Sequence, residues 1–284
     1  MAGTSEELRF ITYLSPGIPQ AFFEAIVDHV RRTLGCGRAS LQAEMRVSGP
    51  QRGIQDPFST GVCDVGFMCS PSFVWLRELS PPPVELLGVA PVFEDPRAGG
   101  RPVYFCDVVV RGDSRIRSFA ELRGRSWAYN DVCSLSGYYS LLSKLAGMGA
   151  DEGFFGRVFC SGSHLNSLEA VERGEADAAA IDSNVLSMRL GEVPGLREKL
   201  RVIESWGPFP IQPVVVRSAL PAELKGRLRA SLLAVDPRTR RALSAFGLRR
   251  FAPVTDEEYR SLRGERGEAG EEGGSAILVG TVSG

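Results

Sequence analysis

The stretch "NDVCSLSGYYSLLSKLAGMG", residues 130–149, passes from a polar turn into an apolar helix. Ser134, Ser136 and Gly137 fall where that helix must begin. The first backbone N–H groups of a helix have no partner within it and carry partial positive charge. Small residues let an anion approach those groups, and serine hydroxyls add donors. Two readings are open. One is that Ser134 or Ser136 caps the helix; the other is that an anion binds there. The lysine and glycine spacing of a nucleotide-phosphate loop is missing.

A second passage, "CSGSHLNSLEAVERGEADAAAIDS", repeats the arrangement. Ser161, Gly162, Ser163 and His164 lie between a strand and a helix start, where an imidazole either donates to an anion or caps its own helix. Asp182 then ends "ADAAAID" at the carboxyl end of a buried strand. Ligands gather at that edge of open α/β sheets. Asp182 either orients His164, accepts a hydrogen bond from a protonated ligand, or caps the helix "SNVLSMRL".

Placing these residues requires strands and helices in alternation. "RFITYL", "VCDVGFM", "VELLGVAPVF", "PVYFCDVVV", "GRVFC", "ADAAAID" and "LRVIES" read as strands. "PQAFFEAIVDHVRRTL", residues 137–148 and "NSLEAVERG" read as helices. Such alternation implies parallel βαβ units and an α/β fold. From Pro221 to about Leu262 the chain reads as wholly helical. Two proline-rich passages, residues 91–102 and "WGPFPIQPVVV", suggest two lobes joined twice. The expected division is 8–92 with 211–263 as lobe 1 and 93–210 as lobe 2. The tail 264–284, rich in glycine and glutamate, is expected to be disordered.

Composition narrows the class. The chain has 284 residues, 43% of them hydrophobic and 24% charged, with a net charge of −1. That balance argues against a general nucleic-acid or anionic-membrane surface. No apolar run reaches the roughly 18 residues of a membrane span. Two histidines exclude a multi-histidine metal site, and the six cysteines show no metal spacing, so neither metal nor cofactor is expected. The cysteines read as reduced, packed thiols, which favours a reducing compartment. "MAGTSEELRF" shows no secretory leader. A cytoplasmic place is therefore expected as the sequence stands, and a periplasmic or extracellular one if a leader was removed.

Taken together, "DVVVRGDSRIRSFAELRGRSWAYNDVCSLSGYY" and "FCSGSHLNSLEAVERGEADAAAIDS" resemble the phosphate, phosphite and phosphonate substrate-binding proteins of ABC transporters. "YLSPGIP" and "GVCDVGFMCSPSFVWL" match the first lobe more loosely, and the likeness covers roughly residues 8–262. The resemblance implies the type 2 periplasmic-binding-protein fold, with two lobes closing by a hinge on a small oxyanion. It places Ser134, Ser136 and His164 on the oxyanion oxygens, Asp182 on an acidic position beyond them and Tyr104 on an aromatic position near the hinge. The loops 14–16 and 68–71, with Ser15 and Ser70, are expected to face the ligand from the other lobe.

Three departures stand out. Leu135 replaces a threonine typical of the family, keeping only the N–H beside Gly137. Gln212 stands where aminoalkylphosphonate binders carry an aspartate, and Gln51 or Arg52 is nearest to a tyrosine of the ligand cage. An amine-bearing ligand is thereby disfavoured against phosphate or another small acid. No catalytic residue is expected, and the chain is expected to act as a monomer, with an ABC permease as partner if exported. The alternatives are a cytosolic enzyme using His164 and Asp182 as an acid/base pair, and a ligand-sensing module.

Overall fold

A computed structural model describes residues 7–260 and 262. The expected disorder of 264–284 lies outside the described residues. In chain order the elements are β1 (Glu7–Thr12), α1 (Gln20–Leu34), β2 (Arg38–Ala43), β3 (Val65–Phe67), α2 (Ser70–Glu78), β4 (Val84–Leu86), β5 (Val89–Phe93) and β6 (Val103–Arg111). There follow β7 (Ser126–Tyr129), α3 (Ser140–Gly147), β8 (Arg157–Cys160), α4 (His164–Arg173), β9 (Ala178–Asp182), α5 (Ser183–Glu192), α6 (Leu196–Lys199) and β10 (Leu200–Pro210). The last are β11 (Val214–Arg217), α7 (Ala222–Leu233), α8 (Pro237–Ser244) and β12 (Leu248–Pro253). The chain divides into two compact units, crossing to the second after Val103 and back after Phe209.

The first unit holds a five-stranded sheet of order β2-β1-β3-β11-β4. β1 runs parallel to β2 and β3, whereas β11 is antiparallel to β3 and β4. Helix α1 forms because Phe22, Phe23, Ile26, Val27, Val30 and Leu34 share one buried face. Gly35 ends it in the left-handed region, at φ 68°, with Arg31 and Arg32 in the last turn. Phe23 packs on Phe67 at 5.0 Å between ring centres, tying α1 to the sheet. His29, on the same face, is buried, with Nδ1 2.9 Å from Asp236 Oδ2 and Nε2 3.0 Å from the carbonyl of Ser231.

One carboxylate fastens three strands of this sheet. Asp64, 2% exposed, precedes β3. It accepts hydrogen bonds from Nε and a terminal nitrogen of Arg9 (both 3.0 Å) and of Arg217 (3.1 and 2.8 Å), besides the N–H of Arg9. Burial alone would raise its pKa, but these bonds hold it below the usual carboxylate range.

The second unit, described over 104–209, has a sheet of order β10-β6-β9-β7-β8. β7 runs parallel to β8 and β9, and β6 antiparallel to β9. β9 lies inside the sheet and is buried along its whole length, which is why it reads as an unbroken apolar run with no alternation. Its core gathers Val108, Phe119, Trp127, Leu141 and Phe154. Phe119 stacks on Phe154 at 5.3 Å, and Trp206 meets Phe119 at the same distance while its Nε1 donates to Glu204. Trp206 is thus part of the core wall.

Several expectations need correction. The region after Pro221 is not wholly helical. α7 and α8 are followed by β12, which pairs antiparallel with β5 after Gly247 turns the chain at φ 76°. "VELLGVAPVF" is two strands, broken at Gly88 with φ 75°: β4 joins the five-stranded sheet and β5 pairs with β12. Both sheets are mixed, because β11 and β6 run antiparallel to their neighbours. None of the six cysteines is in a disulfide, yet Cys160 is exposed at the end of the edge strand β8 and is no core residue.

Candidate functional site

The two loops singled out in the sequence follow neighbouring parallel strands, β7 and β8, in the second unit. Ser134 and Ser136, 1% and 2% exposed, stand at the start of the helical segment after β7. The first turn, Leu135–Tyr139, is wider than an α-helix: Tyr139 N–H reaches the carbonyl of Ser134 and Ser140 N–H that of Leu135, five residues back. Such π-turns recur at functional sites. α3 continues from Ser140, so the helix predicted over 137–148 starts two residues earlier.

Each serine has its own task. Ser134 is the cap, its Oγ accepting the N–H of Gly137 at 3.0 Å. As an acceptor it retains its own O–H for donation. Ser136 Oγ instead lies 3.0 Å from Nε2 of His164. The carbonyl of Ser136 is held from behind by the thiol of Cys106 (2.7 Å) and the hydroxyl of Ser140 (2.6 Å). Gly137 is required here: a Cβ would collide with Asn130 Oδ1 and stand 3.4 Å from His164 Cε1.

His164 opens α4, which Ser163 caps by accepting the N–H of Asn166 at 3.1 Å. Capping thus falls to the neighbouring serine, leaving the imidazole for another task. The two loops are tied together, since Gly162 N–H and the Cys160 thiol both donate to the carbonyl of Asn130. Burial pushes the imidazole pKa down to about 4, so it is neutral near pH 7. Its Nδ1 is buried and makes no hydrogen bond among the described residues.

Proton accounting shows what this pair offers. A neutral imidazole carries one N–H and serine one O–H. Their mutual bond uses one of these two protons. If Nδ1 holds the imidazole proton, Nε2 accepts from Ser136 and the Nδ1–H has no partner. If Nε2 holds it, the Ser136 O–H is left. In either tautomer one donor is unspent, beside the helix starts of α3 and α4.

Asp182 does not orient His164. Its carboxylate caps α5, accepting the N–H groups of Asn184 (2.7 Å) and Val185 (3.4 Å). The acid/base pair is therefore not formed. Asp182 is nonetheless close behind the serines, as the partner of Cys106 across β6 and β9. Tyr104 is wholly buried, its ring 6.1 Å from that of Phe209.

The remaining candidates belong to the first unit. Ser15 is buried and donates to the carbonyl of Ile18 at 3.0 Å. Ser70 begins α2 with its hydroxyl buried and without a hydrogen bond among the described residues. Gln212 is buried near Leu14, Ile18 and Phe251. Arg52 faces Glu78 at 3.4 Å, while Gln51 lines an open cavity. Asn130, which the sequence reading does not single out, joins the two loops through its carbonyl and stands against Gly137. Its signal was its place directly after the strand "SWAY", opposite the glycine that its side chain constrains. No cluster of metal-ligating side chains occurs among the described residues, and no helix there is long and apolar enough to cross a membrane.

Residues 9–259 match the family model of phosphonate periplasmic substrate-binding proteins of ABC transporters. The chain belongs to that family. A binding protein component of an ABC phosphonate transporter from Pseudomonas aeruginosa shares its fold, with a TM-score of 0.76 and 19% identity over 92% of this chain and 85% of the other. PhnD1 from Prochlorococcus marinus, solved with methylphosphonate, gives 0.73 at 15% identity, covering 93% and 98%. A protein of Xanthomonas citri bound to ATP gives 0.66 at 21% identity, covering 91% and 95%.

Proposed function

We propose that this chain captures a small oxyanion of the phosphonate, phosphite or phosphate class and does so without chemistry on it. The observation that carries the reading is the contact of Ser136 Oγ with His164 Nε2 at 3.0 Å. It brings two helix starts together around one unspent proton. Helix N-termini and neutral donors stabilise an anion without a countercharge. Asp182, engaged with the N–H groups of α5, leaves His164 without the carboxylate a general base would use. Family membership supports delivery to an ABC permease, and the family's periplasmic description favours the second of the two locations left open by the sequence. The hinge closure implied by that resemblance belongs to the same proposal.

Calorimetric titration of the full chain with methylphosphonate, phosphite, phosphate and sulfate tests it. Saturable binding of at least one phosphorus oxyanion, weakened at least tenfold in S136A and in H164Q, is the expected result. Heat changes absent for all four at millimolar concentration overturn the reading. Small-angle scattering with and without the bound anion tests closure: an unchanged radius of gyration removes that part.

A further inference from the structure

The wide first turn, Leu135–Tyr139, needs a cause, because an α-helix is the ordinary way for such a segment to start. In an α register the Ser140 N–H would bond the carbonyl of Ser136, four residues back. It bonds the carbonyl of Leu135 instead. Two side chains take its place on Ser136. Ser140 turns its own hydroxyl back onto that carbonyl at 2.6 Å, and the thiol of Cys106, on β6, reaches the same oxygen at 2.7 Å. Hydroxyls that bond the carbonyl four residues back compete with the helix ladder and bend it.

The hydrogens balance. A carbonyl oxygen has two lone pairs, and serine and cysteine carry one hydrogen each. Cys106 Sγ and Ser140 Oγ also lie 3.2 Å apart, which closes a triangle with the Ser136 carbonyl. Both residues are buried, and burial pushes the thiol pKa up, so the S–H is retained. The triangle is anchored to the sheet, since Cys106 pairs with Asp182 across β6 and β9. Cys106 also packs in the core with Val108, Trp127 and Leu141, where any small hydrophobe would serve. Packing does not account for two donors meeting on one carbonyl. That carbonyl belongs to the residue whose side chain meets His164.

We propose that Cys106 and Ser140 are positioning residues of the oxyanion site: their hydrogens fill the Ser136 carbonyl, hold its turn in the π register and so keep Ser136 Oγ against His164 Nε2. The proposal rests on the reading of Ser136 and His164 as the anion-binding pair.

Two readouts on the full chain test it. Nitrogen NMR of the imidazoles in the ligand-free protein reports the Ser136–His164 contact; the chain has two histidines, so H164Q assigns the signals. Calorimetry with methylphosphonate reports affinity. S140A deletes one oxygen, C106A deletes the thiol, and C106S puts a hydroxyl donor in its place. Matching near-ultraviolet circular dichroism confirms that each variant folds.

S140A and C106A are expected to move the His164 signals and to weaken binding about threefold or more, the scale of one net hydrogen bond. C106S is expected to keep the native signals and affinity. In an S136A background, S140A should cost nothing further, because the side chain it positions is gone. The proposal is overturned if S140A leaves signals and affinity unchanged, or if its loss of affinity is the same with and without the Ser136 hydroxyl. Should the native chain bind no methylphosphonate, the oxyanion reading suffers alone, and the His164 signals of S140A and C106A still decide whether these residues hold the contact.

Discussion

Ser136 and His164, 28 residues apart in sequence, meet at 3.0 Å between Oγ and Nε2. Ser134, two residues earlier, caps the same helical segment through Gly137. The two serines should therefore separate in their effects. S134A is expected to cost about 1 kcal/mol of stability, the usual loss of a cap. S136A is expected to weaken oxyanion binding at least tenfold. Urea denaturation and calorimetry on the two variants check this, and equal effects on both measurements would contradict the division of roles.

Gly137 and Gly147 provide a paired steric test. A Cβ at Gly137 overlaps Asn130 Oδ1 and presses towards His164, whereas at Gly147, within α3, nothing lies within 4 Å. G137A is expected to destabilise by about 1–3 kcal/mol, as overpacking does, and to weaken anion binding. G147A is expected to stabilise by about 0.5–1 kcal/mol through helix propensity. Thermal melting of the two variants should move in opposite directions.

His164 predicts an acid-side weakness. Its pKa is near 6.5 in an unfolded chain and about 4 in the folded protein, lowered by burial. Between these values the unfolded chain binds more protons, so stability falls as pH drops from about 6.5 to 4, by at most about 1.4 kcal/mol per pH unit. H164Q should show a shallower decline over that window. Urea midpoints at half-unit pH intervals measure the difference.

Asp64 acts in the same direction over a lower pH window. Its folded pKa is depressed by the hydrogen bonds from Arg9 and Arg217, so its contribution is present above about 3.9. That contribution is lost as pH falls through the folded value. D64A leaves both guanidinium groups without their shared partner, but Arg9 and Arg217 side chains are 37% and 24% exposed and reach water. The expected loss at pH 7 is therefore at the lower end for a broken buried pair, about 3 kcal/mol. Urea denaturation monitored in the first unit tests it.

The parts of the fold legible in the sequence are those written locally. α4 announces both its ends, with Ser163 before it and Gly174 after, and β9 announces its interior place by an unbroken apolar run. β2 escaped notice because "RASLQA", an edge strand, never becomes fully buried. β12 escaped because it is stabilised by β5, more than 150 residues earlier. The site serines and His164 were visible through small residues at helix starts, but their contact was not, since it depends on β7 and β8 being neighbours. The buried engagement of His29 with Asp236 is invisible locally for the same reason, with 207 residues between them. The π-turn has no signature that separates it from an α-helix over five residues.

The loops 130–137 and 160–164 contain no lysine or arginine. Their donors are dipoles, whose pull on an ion fades much faster with distance than that of a full charge. Added electrolyte acts mainly on attraction between separated charges, over about 10 Å at 0.1 M ionic strength. On the proposed reading, capture acts only at contact, so the rate at which ligand is gathered is expected to differ little between dilute and saline surroundings.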